Sequence, residues 1–291
     1  MPFFLSRGGN NVPLEVERWQ YFLRKNNFAQ VGSIDGDFGL KTETATRFFQ
    51  VQAGIDATGA VDAATIAAAR AMGFKVVPDT EYDGKKKDSW PPKPSGLSSP
   101  SNASRTAALG AFFFKQVAPQ FRSDPDEIVI LGSVDGSSSD WRRDEILDLE
   151  IPQKVFADGW NGRITCHRVV APRLTQLFRA WEQADLLYLI RGYAGSFAPR
   201  YKRGDSPAWT GASAPLRSDK TSALSNHAFG TAFDINVADN PYKASPALVP
   251  KRGAVRELVE LANDNGFYWG GHFSSGSRDG MHFEFAAFDS I

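Results

Sequence analysis

The chain is sparing with the residues that staple folds and bind metals. Of its 291 residues one is cysteine, Cys166, and four are histidine. A single cysteine forms no intrachain disulfide, so nothing here calls for an oxidising compartment, and a cysteine-based metal site is excluded. Neither charge sign is in excess, with 33 Lys plus Arg against 33 Asp plus Glu. Chains that bind nucleic acid usually carry a basic surplus, so nucleic acid is not an expected partner. Long apolar runs are also missing. The opening MPFFLSRGGN is too short in apolar residues for a secretory leader, and no stretch is long enough to span a bilayer. The expectation is synthesis in the cytoplasm without a signal peptide or transmembrane segment. A target outside would then be reached by release or delivery.

What is present is ordinary for a globular protein: 42% hydrophobic and 23% charged residues, on a chain long enough for two domains. Residues 78 to 104, PDTEYDGKKKDSWPPKPSGLSSPSNAS, are dense in Pro, Ser, Gly and Lys and have no hydrophobic period. That composition reads as a linker between a small N-terminal unit and a larger C-terminal one.

The N-terminal unit contains an internal echo. IDGDFGLKTETA starts at Ile34 and ATGAVDAATIAA at Ala57; Gly36 and Thr42 are spaced as Gly59 and Thr65 are. Each copy places a glycine turn before an apolar residue (Phe38, Val61) and a threonine at a helix start. Val16, Trp19 and Leu23 share one helical face, as do Ala45, Phe48 and Phe49, and Gly54 and Gly73 stand where helix C-caps fall. Three short helices are expected. The run from Val16 to Ala71, with DGDFGLKT and RFFQVQAGIDATGAVDAAT, resembles the peptidoglycan-binding domains of cell-wall hydrolases. The resemblance implies a three-helix module over residues 1–77 that docks on bacterial peptidoglycan, with 78–104 as linker.

In the C-terminal unit EIVIL (127–131), ILDLEI (146–151), GRITCHRVV (162–170), LLYLI (186–190), FDINV (233–237) and MHFEF (281–285) read as strands. A helix follows Pro172, with Leu174, Leu177, Phe178 and Trp181 on one face, and another covers about 254–265 and stops at Gly266. The expected architecture is a small all-α three-helix domain followed by an α+β domain with a mostly antiparallel sheet carrying a zinc site.

The zinc expectation rests on alternation. Side chains in a strand alternate between faces. In FDINV, Asp234 opposes Phe233 and Ile235; in MHFEF, His282 and Glu284 oppose Met281, Phe283 and Phe285. If the two strands are neighbours, Asp234 and His282 converge. His227, in SNHAFGTAFD, precedes the first strand, and Gly230 lets the chain turn its ring to the same point. Two imidazoles and one carboxylate are the protein ligands of a catalytic zinc whose fourth position is open. A hydrolytic site also needs a base that is not a ligand. Asp279, in the turn GSRDGM, suits that role, and Glu284 suits a partner to an imidazole N–H. His272, beside Gly270 and Gly271, is either a substrate contact or a hydrogen-bonded loop residue; His167 reads as structural.

SNHAFGTAFD with DGMHFE resembles the zinc D-alanyl-D-alanine carboxypeptidase and L-alanyl-D-glutamate endopeptidase family, which includes phage endolysins. The resemblance runs from LLYLIRGYAGSFAPR to HFEF. It implies that His227, Asp234 and His282 hold zinc, that Asp279 is the catalytic base, that Ser225 holds substrate, and that residues 105–291 form the peptidase domain. It also implies a substrate-gripping arginine in a segment like RGYAGSFAPR. Ala194 stands where that arginine would be, so Arg200 is the candidate and Arg191 the second. In the family an aspartate base goes with endopeptidases and a glutamate base with carboxypeptidases. The expected function is therefore zinc-dependent cleavage of peptidoglycan stem peptides as an L-alanyl-D-glutamate endopeptidase, by a monomer. The alternatives are a D-alanyl-D-alanine carboxypeptidase, an inactive murein-binding protein, or a structural zinc site closed by four protein ligands.

Overall fold

The computed structural model describes residues 4–77, 79–122, 126–209 and 221–290. Residue 78, first of the expected linker, and the chain ends at 1–3 and 291 lie outside the described residues.

Helices α1 (Pro13–Lys25), α2 (Leu40–Gln52) and α3 (Ala63–Ala71) form the N-terminal unit. Proline opens α1, where its missing N–H would have no helical partner anyway. Asp62 caps α3, its carboxylate accepting from the Thr65 amide at 2.8 Å. The helices close around Trp19, whose ring meets Phe22, Phe49 and Phe74 at 5.2, 5.5 and 5.3 Å. Phe48, expected on the same face as Ala45 and Phe49, is 50% exposed. The buried stripe of α2 runs through Thr42, Ala45, Thr46, Phe49 and Gln50, and Phe48 falls beside it.

The sequence echo is a structural repeat. Gln20 donates to Thr42 Oγ1 and accepts from the amides of Asp35 and Gly36. Gln50 donates to Thr65 Oγ1 and accepts from the Gly59 amide. In each copy a buried glutamine on one helix holds the glycine turn and the threonine that start the next.

The C-terminal unit contains α4 (Asn102–Leu109), α5 (Trp141–Glu145), α6 (Ala171–Gln183) and α7 (Val259–Asp264). Strands β1 (Phe112–Gln116) and β2 (Ile128–Ser133) pair with each other, as do β3 (Ile146–Glu150) and β4 (Arg163–His167). A four-stranded sheet takes β5 (Tyr193–Gly195), β6 (Ala232–Ile235), β8 (His282–Phe285) and β7 (Phe267–Trp269) in that spatial order. The pairings among these eight strands are antiparallel. LLYLI is no strand: Leu187–Leu189 form a single 3-10 turn.

Helix α6 explains which face of this sheet is polar. Its Trp181 contacts Phe233 and Phe283 at 6.2 and 6.1 Å, and those two rings stack on each other at 5.5 Å. Burying each such ring contributes about 1.5–3 kcal/mol. With Phe233 and Phe283 committed to α6, alternation sends Asp234, His282 and Glu284 to the opposite face.

The two units touch through α1. Leu14 and Tyr21 join the C-terminal core, Arg18 Nε donates to the Tyr188 hydroxyl at 3.0 Å, and Glu17 accepts from Arg191 and Arg252 at 2.5 and 3.1 Å. The Pro/Ser-rich segment is held as well. The buried Arg256 guanidinium donates to the carbonyls of Asp88 and Trp90 and to the Asp88 carboxylate. His272 Nε2 donates to the Pro91 carbonyl at 3.0 Å.

Candidate metal centre

Strands β6 and β8 are neighbours, and Asp234 and His282 are direct cross-strand partners. His227 arrives from a 3-10 turn, Asn226–Phe229, whose first amides need a cap. Ser225 supplies it, its hydroxyl accepting from the His227 amide at 3.3 Å. Gly230 ends the turn in the left-handed conformation, φ 65°, and a Cβ there would come within 2.7 Å of the His167 amide nitrogen. Both facts require glycine.

The three donor atoms converge. His227 Nε2 lies 3.1 Å from His282 Nδ1, His282 Nδ1 lies 3.0 Å from Asp234 Oδ1, and His227 Nε2 lies 3.3 Å from Asp234 Oδ1. Ligands about 2.0 Å from a tetrahedral ion stand about 3.3 Å apart, so the triangle has the size of one face of such a sphere. The outer ring nitrogens are also engaged. His227 Nδ1 is 2.6 Å from the Ser196 carbonyl, and His282 Nε2 is 2.9 Å from Glu284 Oε2. A proton on each outer nitrogen leaves both inner lone pairs facing the carboxylate, an arrangement that a shared cation stabilises. Among the described residues these three form the group of His, Cys, Asp or Glu able to hold a metal ion.

The electrostatics favour positive charge at this point. Burial opposes a proton on His282, yet the hydrogen bonds to Asp234 and Glu284 outweigh it and lift its pKa to about 10. Burial alone would raise the Asp234 carboxyl; the two histidines reverse that and hold it far below the usual range.

A cleft of about 370 Å³ opens beside the triangle, lined by Arg200, Lys202, Arg203, Ser225, Asn226, Tyr242, Phe273, Asp279, His282 and Glu284 among others. Asp279 is placed by a close backbone approach. Its amide donates to the Gly270 carbonyl at 2.9 Å, and a Cβ on Gly270 would fall 2.4 Å from the Asp279 carbonyl oxygen. Asp279 Oδ1 is buried without a hydrogen-bond partner among the described residues. Burial pushes its carboxyl above the ordinary value, with Asp234 adding to the rise and His282 opposing it.

The structure thus gathers His227, Asp234, His282, Asp279, Ser225 and Arg200 at one cleft. Arg200 Nη1 donates to the Tyr201 carbonyl at 3.3 Å, and its backbone carbonyl accepts from the Ser225 amide. Arg191 stands elsewhere, on Glu17. His272 does not line the cleft; its ring bonds to the Pro91 carbonyl and packs on Trp269 at 5.1 Å. His167 is buried against Trp141 beside Glu145. Reading the sequence alone missed Asn226, Lys202, Arg203 and Ser99, which also line the cleft. The only signal for Asn226 was its place between Ser225 and His227; Ser99 had none, since it lies in the segment read as linker.

Residues 218–285 match a family model described as D-alanyl-D-alanine carboxypeptidase, and residues 14–69 match one described as a putative peptidoglycan binding domain. Neither the curated proteins nor the solved structures give a match. The match at 218–285 contains SNHAFGTAFD and DGMHFE but begins after LLYLIRGYAGSFAPR, and the match at 14–69 covers the run that starts at Val16 except its last two residues. They make the chain a peptidoglycan-hydrolysing peptidase with a helical wall-binding module, acting on the cell wall. No helix among the described residues is long and apolar enough to cross a membrane.

Proposed function

We propose that the protein is a zinc-dependent L-alanyl-D-glutamate endopeptidase of peptidoglycan stem peptides. The observation that carries the reading is the triangle of His227, Asp234 and His282, with sides of 3.0 to 3.3 Å and both imidazoles anchored on their outer nitrogens. In the proposal these three residues would hold zinc beside the cleft. Bound there, the ion supplies Lewis acidity that polarises a peptide carbonyl and makes a water molecule acidic. Asp279 takes the proton from the attacking water and returns it to the leaving amine. Its buried, unpartnered oxygen and raised pKa suit both transfers. Arg200 grips a substrate carboxylate or carbonyl, aided by Lys202 and Arg203 on the same wall. Ser225 holds the turn that carries His227 and reaches the substrate beside it.

An aspartate at position 279 supports the endopeptidase reading, and the cationic wall suits the free carboxylates of a stem peptide. A second reading, D-alanyl-D-alanine carboxypeptidase, is favoured by the description of the family model that matches residues 218–285. The proposed division is 1–77 for wall binding, 78–104 joining, and 105–291 for catalysis. Two hydrophobic clusters support it, with Leu14 and Tyr21 of α1 belonging to the C-terminal one. Mass spectrometry of fragments released from purified sacculi decides the bond. New N-terminal D-glutamyl ends support the endopeptidase; release of single D-alanine supports the carboxypeptidase.

A further inference from the structure

The metal triangle is backed by a second row of buried polar groups that ends at an arginine far away in sequence. His282 Nε2 meets Glu284 Oε2 at 2.9 Å. Asn226 Nδ2 donates to the same oxygen at 2.5 Å, and Asn226 Oδ1 accepts from Arg105 Nη1 at 2.5 Å. Arg105 lies on α4, outside the matched segment. Its other arm donates to Asn102 Oδ1 at 2.9 Å, and its plane sits 3.9 Å from the centre of the Phe229 ring. All four members of the row are buried: Arg105 is 2% exposed, Asn226 7%, Glu284 2% and His282 7%.

The row has a direction. A guanidinium can only donate, so the amide oxygen of Asn226 must face Arg105 and its NH₂ must face Glu284. A carboxylate can only accept, so Glu284 takes the amide proton and the proton on His282 Nε2. That keeps a proton on Nε2 and leaves Nδ1, the atom 3.0 Å from Asp234 and 3.1 Å from His227, as the nitrogen open to a cation. Reversing any link would set donor against donor or acceptor against acceptor among buried groups, where a mismatch is costly.

We propose that Arg105 and Asn226 are positioning residues that fix the His282 tautomer through Glu284 and so set the affinity of the site for zinc. This inference rests on the zinc reading above. Asn226 acts as a polarity relay: its two ends differ, and no apolar or charged residue of similar size joins a cation to an anion in the same way. Arg105 sits on the helix that follows the Pro/Ser-rich segment, so the row ties the start of the catalytic unit to its metal ligand.

The test uses the full chain with the variants Asn226→Ala, Arg105→Met and Arg105→Lys. Zinc affinity is measured by competition with a chelator, the thermal midpoint of each metal-free protein controls for folding, and ¹H–¹⁵N spectra report exchange of the His282 Nε2 proton. Removing outer partners of metal-bound histidines typically weakens binding about 10- to 100-fold. A loss of that size is expected in Asn226→Ala and Arg105→Met, with a smaller loss in Arg105→Lys. In the metal-free wild type the His282 Nε2 proton should exchange slowly because Glu284 holds it, and in Asn226→Ala it should exchange faster. Wild-type affinity and unchanged Nε2 proton exchange in the folded variants would overturn the inference. If Asn226→Ala does not fold, the two Arg105 variants decide. A wild type that binds no zinc would sink the zinc reading itself, while the exchange spectra would still report on the row.

Discussion

Arg191 donates to Glu17 at 2.5 Å, joining a residue two positions before β5 to the first helix of the wall-binding module. Arg191 is thereby committed to holding the two units together, whereas Arg200 faces the cleft. Arg191→Ala should lower stability by about 1–3 kcal/mol, the usual cost of stripping a buried charged group of one partner. It should leave hydrolysis of a soluble stem peptide unchanged. Arg200→Ala should do the reverse, reducing kcat/KM about 10- to 100-fold, the worth of one charge-assisted hydrogen bond. Thermal melts and steady-state kinetics on the two variants read both outcomes.

Metal removal separates binding from turnover. Chelation should abolish digestion of sacculi, and added zinc should restore it. His282→Ala should lose the metal. Asp279→Ala should keep it and lose turnover about 10²- to 10⁴-fold, the usual contribution of a general base. Metal analysis beside a turbidity assay distinguishes them, and an active Asp279→Ala variant would remove the base from the mechanism.

The pH profile follows from the burial of Asp279. Its carboxyl lies above the ordinary 3.8, chiefly because burial disfavours the charged form. A base works only when deprotonated, so turnover is available above the raised pKa and is lost as pH falls through it. In the metal-free protein the ¹³C carboxyl shift of Asp279 should therefore titrate above pH 3.8, and zinc should move that midpoint down. A metal-free midpoint at or below 3.8 would show that burial does not govern this carboxyl.

Gly230→Ala should damage the metal centre without touching a ligand. The new methyl group meets backbone of β4 at 2.7 Å, and φ 65° disfavours a side chain there. The strain is about 1–3 kcal/mol, which the turn can relieve only by moving His227. Weaker zinc binding with the other ligands intact is expected in a chelator titration.

The glutamine repeat predicts a matched pair of failures in the N-terminal module. Gln20→Leu leaves the amides of Asp35 and Gly36 without their acceptor, and Gln50→Leu leaves the amide of Gly59 without its own. Each such orphan costs about 1–3 kcal/mol, so both variants should melt earlier and bind sacculi less, with hydrolysis of soluble peptides retained.

The candidate centre was legible because strand alternation is a strict rule. Two strands that each hide phenylalanines on one side must show Asp234, His282 and Glu284 on the other, and only their adjacency had to be assumed. The helical face of α6 was legible for the same reason. LLYLI misled because a short apolar run fits a buried turn as well as a buried strand. Phe48 misled because it sits one position off the stripe of α2. The segment at 78–104 was read by its own composition, and its packing is decided by groups elsewhere, Arg256 and His272, that seize its backbone carbonyls. Arg105 was invisible because its partner, Asn226, lies 121 positions further on.

The grip of α1 on the C-terminal core bears on how the enzyme searches its polymer. A module on a loose tether raises the local concentration of every bond within reach of the tether. Here Glu17, Arg18 and Tyr21 clamp the anchor directly to the blade, so each landing presents one offset and one angle to the mesh. Cutting should then follow the spacing of the wall itself, with bonds at that offset cleaved quickly and the rest waiting until the molecule lets go and lands again.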